Sequence, residues 1–241
     1  MLSQPGSFHM TTSSIFPATL KNKLIVSCQA FPGDPLDDDE TLRRIALTVI
    51  RGGAGGLRAN GAGSIAAIRK ETQLPIIGIL KRYEGSEPHI TPDFISAKSI
   101  SAAGADAIGV DCSARRPASS EPWPQLVTRI REELQRPVLA DIATFDEARR
   151  AEQAGVAAVA TTMFGYTPET AGQRHVNWDL VEGLAKSLRV PVIVEGHVRQ
   201  PDDLRRAFDL GAFAVVVGAA ITQPGALTQS FVAAIRNASR G

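Results

Sequence analysis

Eight short apolar runs, each separated from the next by a longer segment, constrain this 241-residue chain more than any other feature. They cover residues 24–29, 56–60, 75–81, 107–112, 137–142, 157–162, 191–196 and 213–218, and most are continuous in Val, Ile, Leu and Ala. Continuous runs belong to parallel strands covered on both faces, whereas half-exposed strands alternate. Helical spacing marks most of the intervening segments, at 39–51, 92–103, 123–134, 145–154, 178–188 and 201–210. Strand and helix therefore alternate around the whole chain.

Within that alternation lies a finer echo. The third, fifth and seventh runs open on a proline directly after a helix end, at Pro75, Pro137 and Pro191. The fourth, sixth and eighth instead follow a helix end and a glycine, at Gly104, Gly155 and Gly211. Proline suits a strand entrance that needs no backbone donor, and glycine suits the left-handed turn that caps a helix. A near two-unit repeat of this kind implies a closed ring. The expected fold class is α/β, a single-domain (β/α)8 TIM barrel, for which about 250 residues is typical. A doubly wound open sheet is the competitor, but it usually carries a GxGxxG turn after its first strand. Here the chain reads Cys28-Gln29-Ala30-Phe31-Pro32. Residues 1–12 are expected to form a disordered extension and residues 13–241 the catalytic barrel, with a helix before residue 23 closing its lower end.

Composition excludes several partners. Lys plus Arg number 26 and Asp plus Glu 25, so no overall field would hold a nucleic acid or an anionic membrane, and an anionic ligand must be gripped locally. Cys28 and Cys112 are too few for a disulfide scaffold or a CxxC metal site and are expected to be buried thiols in a reducing compartment. The N-terminus lacks the pattern of a signal peptide, and no run approaches ~18 apolar residues, so the chain is expected to be soluble and cytoplasmic. His9, His89, His175 and His197 show neither HxH nor HExxH spacing, and no serine sits in a GxSxG elbow. Neither a metal site nor a Ser-His-Asp hydrolase is expected.

In such a barrel the active site lies at the C-terminal ends of the strands, which makes the residue closing each run a candidate. Those residues are Gln29, Arg58 with Asn60, Lys81, Asp111, Asp141, Thr161 with Thr162, Glu195 and Gly218. A lysine ending an apolar strand loses hydration, which draws its pKa down from about 10.4 toward values useful for a base or an imine-forming nucleophile. The plainer role for Lys81 is a rim lysine snorkelling to water beside Arg82. Glu195 follows Val-Ile-Val and emerges at the mouth, either as a catalytic carboxylate or as a partner of Arg58 or Lys81. Arg58 and Asp141 each suit pairing with a neighbour in the ring as well as ligand contact. Gln29 suits a sugar hydroxyl or an amide, and Asp111 suits a cap on the loop carrying Arg115 and Arg116. The last two run ends place Gly196, Gly218 and Ala219 where barrels commonly bind phosphate through backbone donors.

The motifs also carry a family resemblance. Leu24-Ile25-Val26-Ser27-Cys28-Gln29-Ala30, Gly56-Leu57-Arg58-Ala59-Asn60-Gly61, Pro75-Ile76-Ile77-Gly78-Ile79-Leu80-Lys81-Arg82, Ile90-Thr91-Pro92, Ala140-Asp141-Ile142, Thr161-Thr162 with Gly165-Tyr166-Thr167, Val194-Glu195-Gly196 and Val216-Val217-Gly218 with Ala220-Ile221-Thr222 occur in one order. In these stretches the chain resembles bacterial N-acetylmannosamine-6-phosphate 2-epimerases. The resemblance implies interconversion of N-acetylmannosamine 6-phosphate and N-acetylglucosamine 6-phosphate without a cofactor, within sialic-acid and amino-sugar catabolism. It implies Lys81 and Glu195 as the acid/base residues, and Gln29, Arg58 and Asp141 as substrate contacts. One departure stands out: the family pattern Ile-Thr-Arg-Pro, whose arginine grips phosphate, reads Ile221-Thr222-Gln223-Pro224 here. Glutamine cannot offer a charged fork. The resemblance also suggests a homodimer through a helix at 227–237, although closing its own barrel is the default for such a helix. Two other readings stay open on the residues alone: a Schiff-base, aldolase-like enzyme using Lys81, and a non-catalytic sugar-phosphate binding protein.

Overall fold

The computed structural model describes residues 15–85 and 87–238; the extension expected over residues 1–12 lies outside them. Eight parallel strands close into one ring: β1 (Lys23–Cys28), β2 (Gly56–Asn60), β3 (Ile76–Ile79), β6 (Ala107–Asp111), β7 (Val138–Asp141), β8 (Ala158–Ala160), β9 (Val192–Glu195) and β10 (Ala214–Val217). Their order around the ring is β1-β10-β9-β8-β7-β6-β3-β2. The missing numbers are β4 (Lys81–Glu84) and β5 (Glu87–Ile90), an antiparallel hairpin inserted after β3. Helices α1 (Asp39–Arg51), α2 (Ala62–Arg69), α3 (Phe94–Ala102), α4 (Trp123–Glu133), α5 (Phe145–Gln153), α6 (Trp178–Ser187) and α7 (Pro201–Asp209) run between the strands. After β10 come the single turn α8 (Ala219–Thr222) and the longer α9 (Pro224–Ala238).

The proline and glycine echo has a concrete backbone meaning. Pro75, Pro137 and Pro191 donate nothing, but their carbonyls accept the amides of Leu57, Ile108 and Val159 on the neighbouring strand at 2.9, 3.0 and 3.0 Å. A residue without an N–H thus begins each of these strands at no loss to the ladder. Gly104, Gly155 and Gly211 have φ of 105°, 83° and 93°. Each donates three residues back to a helix carbonyl, and the following residue donates five back, as Ala105 does to Ile100, Val156 to Ala151 and Ala212 to Ala207. That pair of bonds is the Schellman cap, and it turns the chain sharply from helix into strand.

Two apolar layers result. Ile25, Ile77, Leu139, Ile193 and Val216 point into the ring, where Phe16 and Leu20 plug the lower end. The closing segment is a single 3-10 turn, Ala18–Leu20, ahead of β1. Residues one position along, such as Val26, Leu57, Ile108 and Val138, face outward and pack with the helices. Each buried Leu or Ile contributes about 1.5–3 kcal/mol, so the lower ring and outer shell are the rigid support for the polar upper rim.

Three departures from the sequence expectation concern that rim and its edge. The run 75–81 is not one strand, because β3 ends at Ile79 and Lys81 opens the hairpin. The Leu80 amide is taken by Thr91 Oγ1 at 3.3 Å, its carbonyl by the Thr91 amide at 2.8 Å, and the Lys81 amide by Asn60 Oδ1 at 2.8 Å, which draws the chain out of the ring ladder. The run 157–162 ends as a strand at Ala160 and continues as a 3-10 turn, Thr161–Met163. Finally, α9 does not pack back on its own barrel: every residue from Pro224 to Ile235 is exposed.

Candidate active site

Arg58 organises the upper rim. It is 1% exposed, and its guanidinium crosses the ring from β2 to meet carboxylates on β7 and β9. Nη2 donates to Asp141 Oδ2 at 2.7 Å, while Nη1 donates to Asp141 Oδ1 at 3.0 Å and to Glu195 Oε2 at 2.5 Å. Gly109 on β6 lies beside this pair, and a Cβ there would stand 2.7 Å from Ile79 Cγ2, too close for a side chain, but at ordinary contact from Arg58 Nη2, 3.5 Å. The pairing is a forked, charge-assisted set of bonds, the arrangement in which a buried guanidinium recovers the hydration it has lost.

The two threonines after β8 hold the carboxylates in place. Thr162 Oγ1 donates to Asp141 Oδ1 at 2.6 Å. Thr161 Oγ1 accepts from the Glu195 amide at 3.1 Å and donates to the Glu195 carbonyl at 2.9 Å, so it clamps the main chain on both sides of the side chain. Asn60 does similar work for the lysine by accepting its amide. Their positions at the ends of runs had marked these residues only as candidates. Nothing in the sequence distinguishes a clamp from a ligand.

Electrostatics sets the two remaining groups against each other. Burial draws the Lys81 amine down to about 8, and the nearby Arg58 cation pushes in the same direction, against the opposing pull of Glu195 and Asp141. Burial pushes the Glu195 carboxyl up to about 7, helped by the Asp141 charge, although Arg58 and Lys81 resist. A base eased toward neutrality and an acid eased toward protonation thus share one Arg58-centred cluster.

The remaining sequence candidates fall around this centre. Gln29 is buried, with Nε2 donating to Ser27 Oγ at 2.6 Å and Oε1 without a partner among the described residues. Asp111 Oδ1 accepts from the Ser113 amide and hydroxyl at 2.9 and 2.6 Å, as a loop cap does. Val216 pairs in register with Glu195, so Gly196 and Gly218 leave adjacent strands one residue apart in level at the rim. Gly196 has φ of 97°, a conformation a side chain would strain, and Gly218 leads directly into α8 at Ala219. Gln223 is the residue that ends α8.

His197, Tyr166 and Arg174 form a feature the sequence did not single out. The rings of Tyr166 and His197 stack at 5.5 Å, and the Arg174 guanidinium lies 4.9 Å from the tyrosine ring. Among the described residues no group of three or more His, Cys, Asp or Glu is placed to hold a metal ion. No described helix is long and apolar enough to cross a membrane.

The comparisons with known proteins fit this geometry. Residues 42–237 match the family model described as "Putative N-acetylmannosamine-6-phosphate epimerase". The chain is 42% identical over 217 residues to a Clostridioides difficile protein named "Putative N-acetylmannosamine-6-phosphate 2-epimerase", covering 90% of this chain and 97% of the relative. It is 40% identical over 222 residues to a Cutibacterium acnes protein of the same name, covering 91% and 96%. The solved epimerase structure from Clostridium perfringens superposes with a TM-score of 0.83 at 36% identity, covering 95% of this chain and 99% of that one. A thiamine phosphate pyrophosphorylase from Pyrococcus furiosus, with a TM-score of 0.59 and 14% identity, shares the fold alone. On the strength of matches that run almost the full length of both partners, the chain belongs to the N-acetylmannosamine-6-phosphate epimerase family.

Proposed function

We propose that the protein interconverts N-acetylmannosamine 6-phosphate and N-acetylglucosamine 6-phosphate, in amino-sugar and sialic-acid catabolism, by removing and returning the proton at C2. The observation that carries this reading is that Lys81 and Glu195, gathered around one buried arginine, are shifted toward each other and toward neutral pH, where a lysine can act as a base and a carboxyl as an acid. The C2 hydrogen of a closed sugar ring is not acidic. Glu195 moves protons on the ring oxygen and O1, which opens the ring to the aldehyde, and neutral Lys81 then removes the proton beside that carbonyl. The N–H groups of Arg58 that point at Asp141 and Glu195 are engaged, so what Arg58 offers the substrate is its charge, which stabilises the enolate together with the newly protonated lysine. Asp141 keeps that charge in place, and Gln29 takes the acetamido group. Phosphate rests on the backbone around Gly196, Gly218 and Ala219. Chemistry at C2 of this kind requires no cofactor, and the buried thiols Cys28 and Cys112 suit a protein that works in the reducing cytoplasm.

Incubation with N-acetylmannosamine 6-phosphate in deuterium oxide tests the reaction. The expected result is the second epimer carrying deuterium at C2, with no adduct trapped on Lys81 by borohydride. An adduct would favour the Schiff-base chemistry, and absence of both label and conversion would sink the epimerase. The same assay reads the phosphate end. Gln223→Arg is expected to lower KM for the phosphorylated sugar about tenfold, by adding one charge-assisted contact, and to leave the unphosphorylated sugar unchanged. An equal effect on both sugars would remove Gln223 from the phosphate site.

We also propose that a second copy of the chain covers α9. Leu227 and Phe231 lie one turn apart on the same face and are 46% and 68% exposed. A helix of this kind ordinarily packs against the barrel it follows, and here its apolar residues from Leu227 to Ile235 all stay exposed, which suits burial against a second copy. Light scattering is expected to give twice the monomer mass for the native chain and the monomer mass for Phe231→Asp. A native monomer would overturn the assignment.

A further inference from the structure

We propose that Arg116 is a positioning residue for Lys81: it locks the base of the β4–β5 hairpin through backbone carbonyls and so decides where the lysine amine stands. The proposal rests on the role given to Lys81 above. All three guanidinium nitrogens of Arg116 are engaged with main chain. Nε donates to the Glu121 carbonyl at 3.0 Å, Nη1 to the carbonyls of Asp111 at 3.0 Å and Thr91 at 3.4 Å, and Nη2 to those of Pro92 at 2.6 Å and Thr91 at 3.4 Å. Among the described residues Arg116 makes no ion pair, although Asp93, Asp111 and Glu121 lie close enough for their charges to be felt. Only a planar fork of five donors reaches carbonyls in three separate segments at once, and the compact ammonium of a lysine does not.

The carbonyls it holds lead to the catalytic lysine by direct contacts. Thr91 is fully buried, with φ of 46°, a left-handed conformation that a β-branched residue adopts only where its surroundings enforce it. In that conformation Thr91 takes both the amide and the carbonyl of Leu80. The next residue is Lys81, which pairs in register with Ile90, the residue before Thr91. Arg116 therefore fixes Thr91, Thr91 fixes the Leu80 peptide, and Lys81 follows. The bond to the Asp111 carbonyl ties the assembly to the end of β6. Elsewhere the hairpin meets this loop at the exposed rim, where Arg115 lies 3.6 Å from a Glu87 that is mostly in solvent and Ser119 Oγ donates to Glu84 Oε1 at 2.8 Å, both weak restraints.

Displacement of Lys81 has a readable consequence. The charges that face its amine come from Arg58 on β2, Asp141 on β7 and Glu195 on β9. A lysine shifted outward leaves Arg58 on one side and Glu195 and Asp141 on the other, which oppose each other, and it regains water, the largest of these effects and one that favours the ammonium form. Misplacement relative to the substrate also slows proton transfer without weakening binding.

The test uses the full-length enzyme with isotope-labelled lysine, in which the Lys81 amine signal is identified by its loss in Lys81→Arg. In Arg116→Gln the titration midpoint of that signal is expected to rise by about one pH unit or more, with kcat down about tenfold or more and KM nearly unchanged. Arg116→Lys keeps a charge and some donors, so it is expected to fall between that variant and the native enzyme. It also serves as the folded variant if the glutamine form does not fold. Arg115→Ala, which loosens the hairpin elsewhere, is expected to leave the midpoint in place. An unmoved midpoint in both Arg116 variants would overturn the proposal and leave Arg116 a structural residue. The titration needs no substrate, so a native enzyme that fails to label the sugar would count against the epimerase reaction while the midpoint still decides the role of Arg116.

Discussion

Lys81→Ala is expected to lose deuterium exchange at C2 and epimer formation together, with kcat reduced about 10²- to 10⁴-fold, the usual range for removing a general base. The barrel should remain folded, because Lys81 stands above the apolar layers and Arg58 still pairs with both Asp141 and Glu195. The same residue shapes the native pH profile. As the base, Lys81 must be neutral, so the rate rises with pH through about 8. As the acid, Glu195 must be protonated, so the rate falls as pH rises through about 7. The product is a bell centred between these values, in which the competent form is a minority of the enzyme at every pH. In Glu195→Gln the limb that falls with pH should disappear, whatever activity survives. Rate measurements across pH 5 to 10 on the three proteins check this. Activity in Lys81→Ala within a few-fold of native would end the assignment.

Arg58→Leu is expected to be the most destabilising single change in the site, by about 3–5 kcal/mol, since it strips the partner from two inward-facing carboxylates at once. For a domain of this size that lowers the thermal midpoint by roughly 10 °C. The deficit should depend on pH with a definite sign. Arg58 restrains the upward displacement of Glu195, so its removal raises that pKa further. An acid whose folded pKa exceeds its unfolded value binds the extra proton when folded, and its contribution to stability is lost as pH rises through the folded pKa. The variant should therefore be closer to native at pH 6 than at pH 8. Adding Asp141→Leu removes one stranded carboxylate and is expected to recover about 1–3 kcal/mol. Calorimetry at the two pH values measures all of this, and a single variant within ~1 kcal/mol of native would show that the buried cluster contributes little.

These expectations draw on two levels of information. The closed ring was legible because its cues are local: Pro75, Pro137 and Pro191 begin strands, and Gly104, Gly155 and Gly211 end helices, through properties of each residue's own backbone. The strand-end positions of Arg58, Lys81, Asp141 and Glu195 were legible for the same reason. What Arg58 binds was not, because its partners lie 83 and 137 residues away and are reached only by crossing the ring. The sequence left it equally suited to pairing and to ligand contact, and the structure engages it with both carboxylates. The hairpin that carries Lys81 was missed because the run reads as one apolar strand. Only the side chains of Asn60 and Thr91, arriving from other segments, draw it out of the ladder.

Periodicity and turn chemistry, read along the chain, determined a (β/α)8 barrel with its polar rim at one end. They did so because hydrogen-bonded strands and capped helices follow from residues adjacent in sequence. The tertiary structure alone decided that one buried guanidinium holds two carboxylates, that Glu195 is raised beside it, and that α9 leaves its apolar residues exposed. Those outcomes depend on distances across the ring and on which groups lose water together, and no residue carries that information by itself.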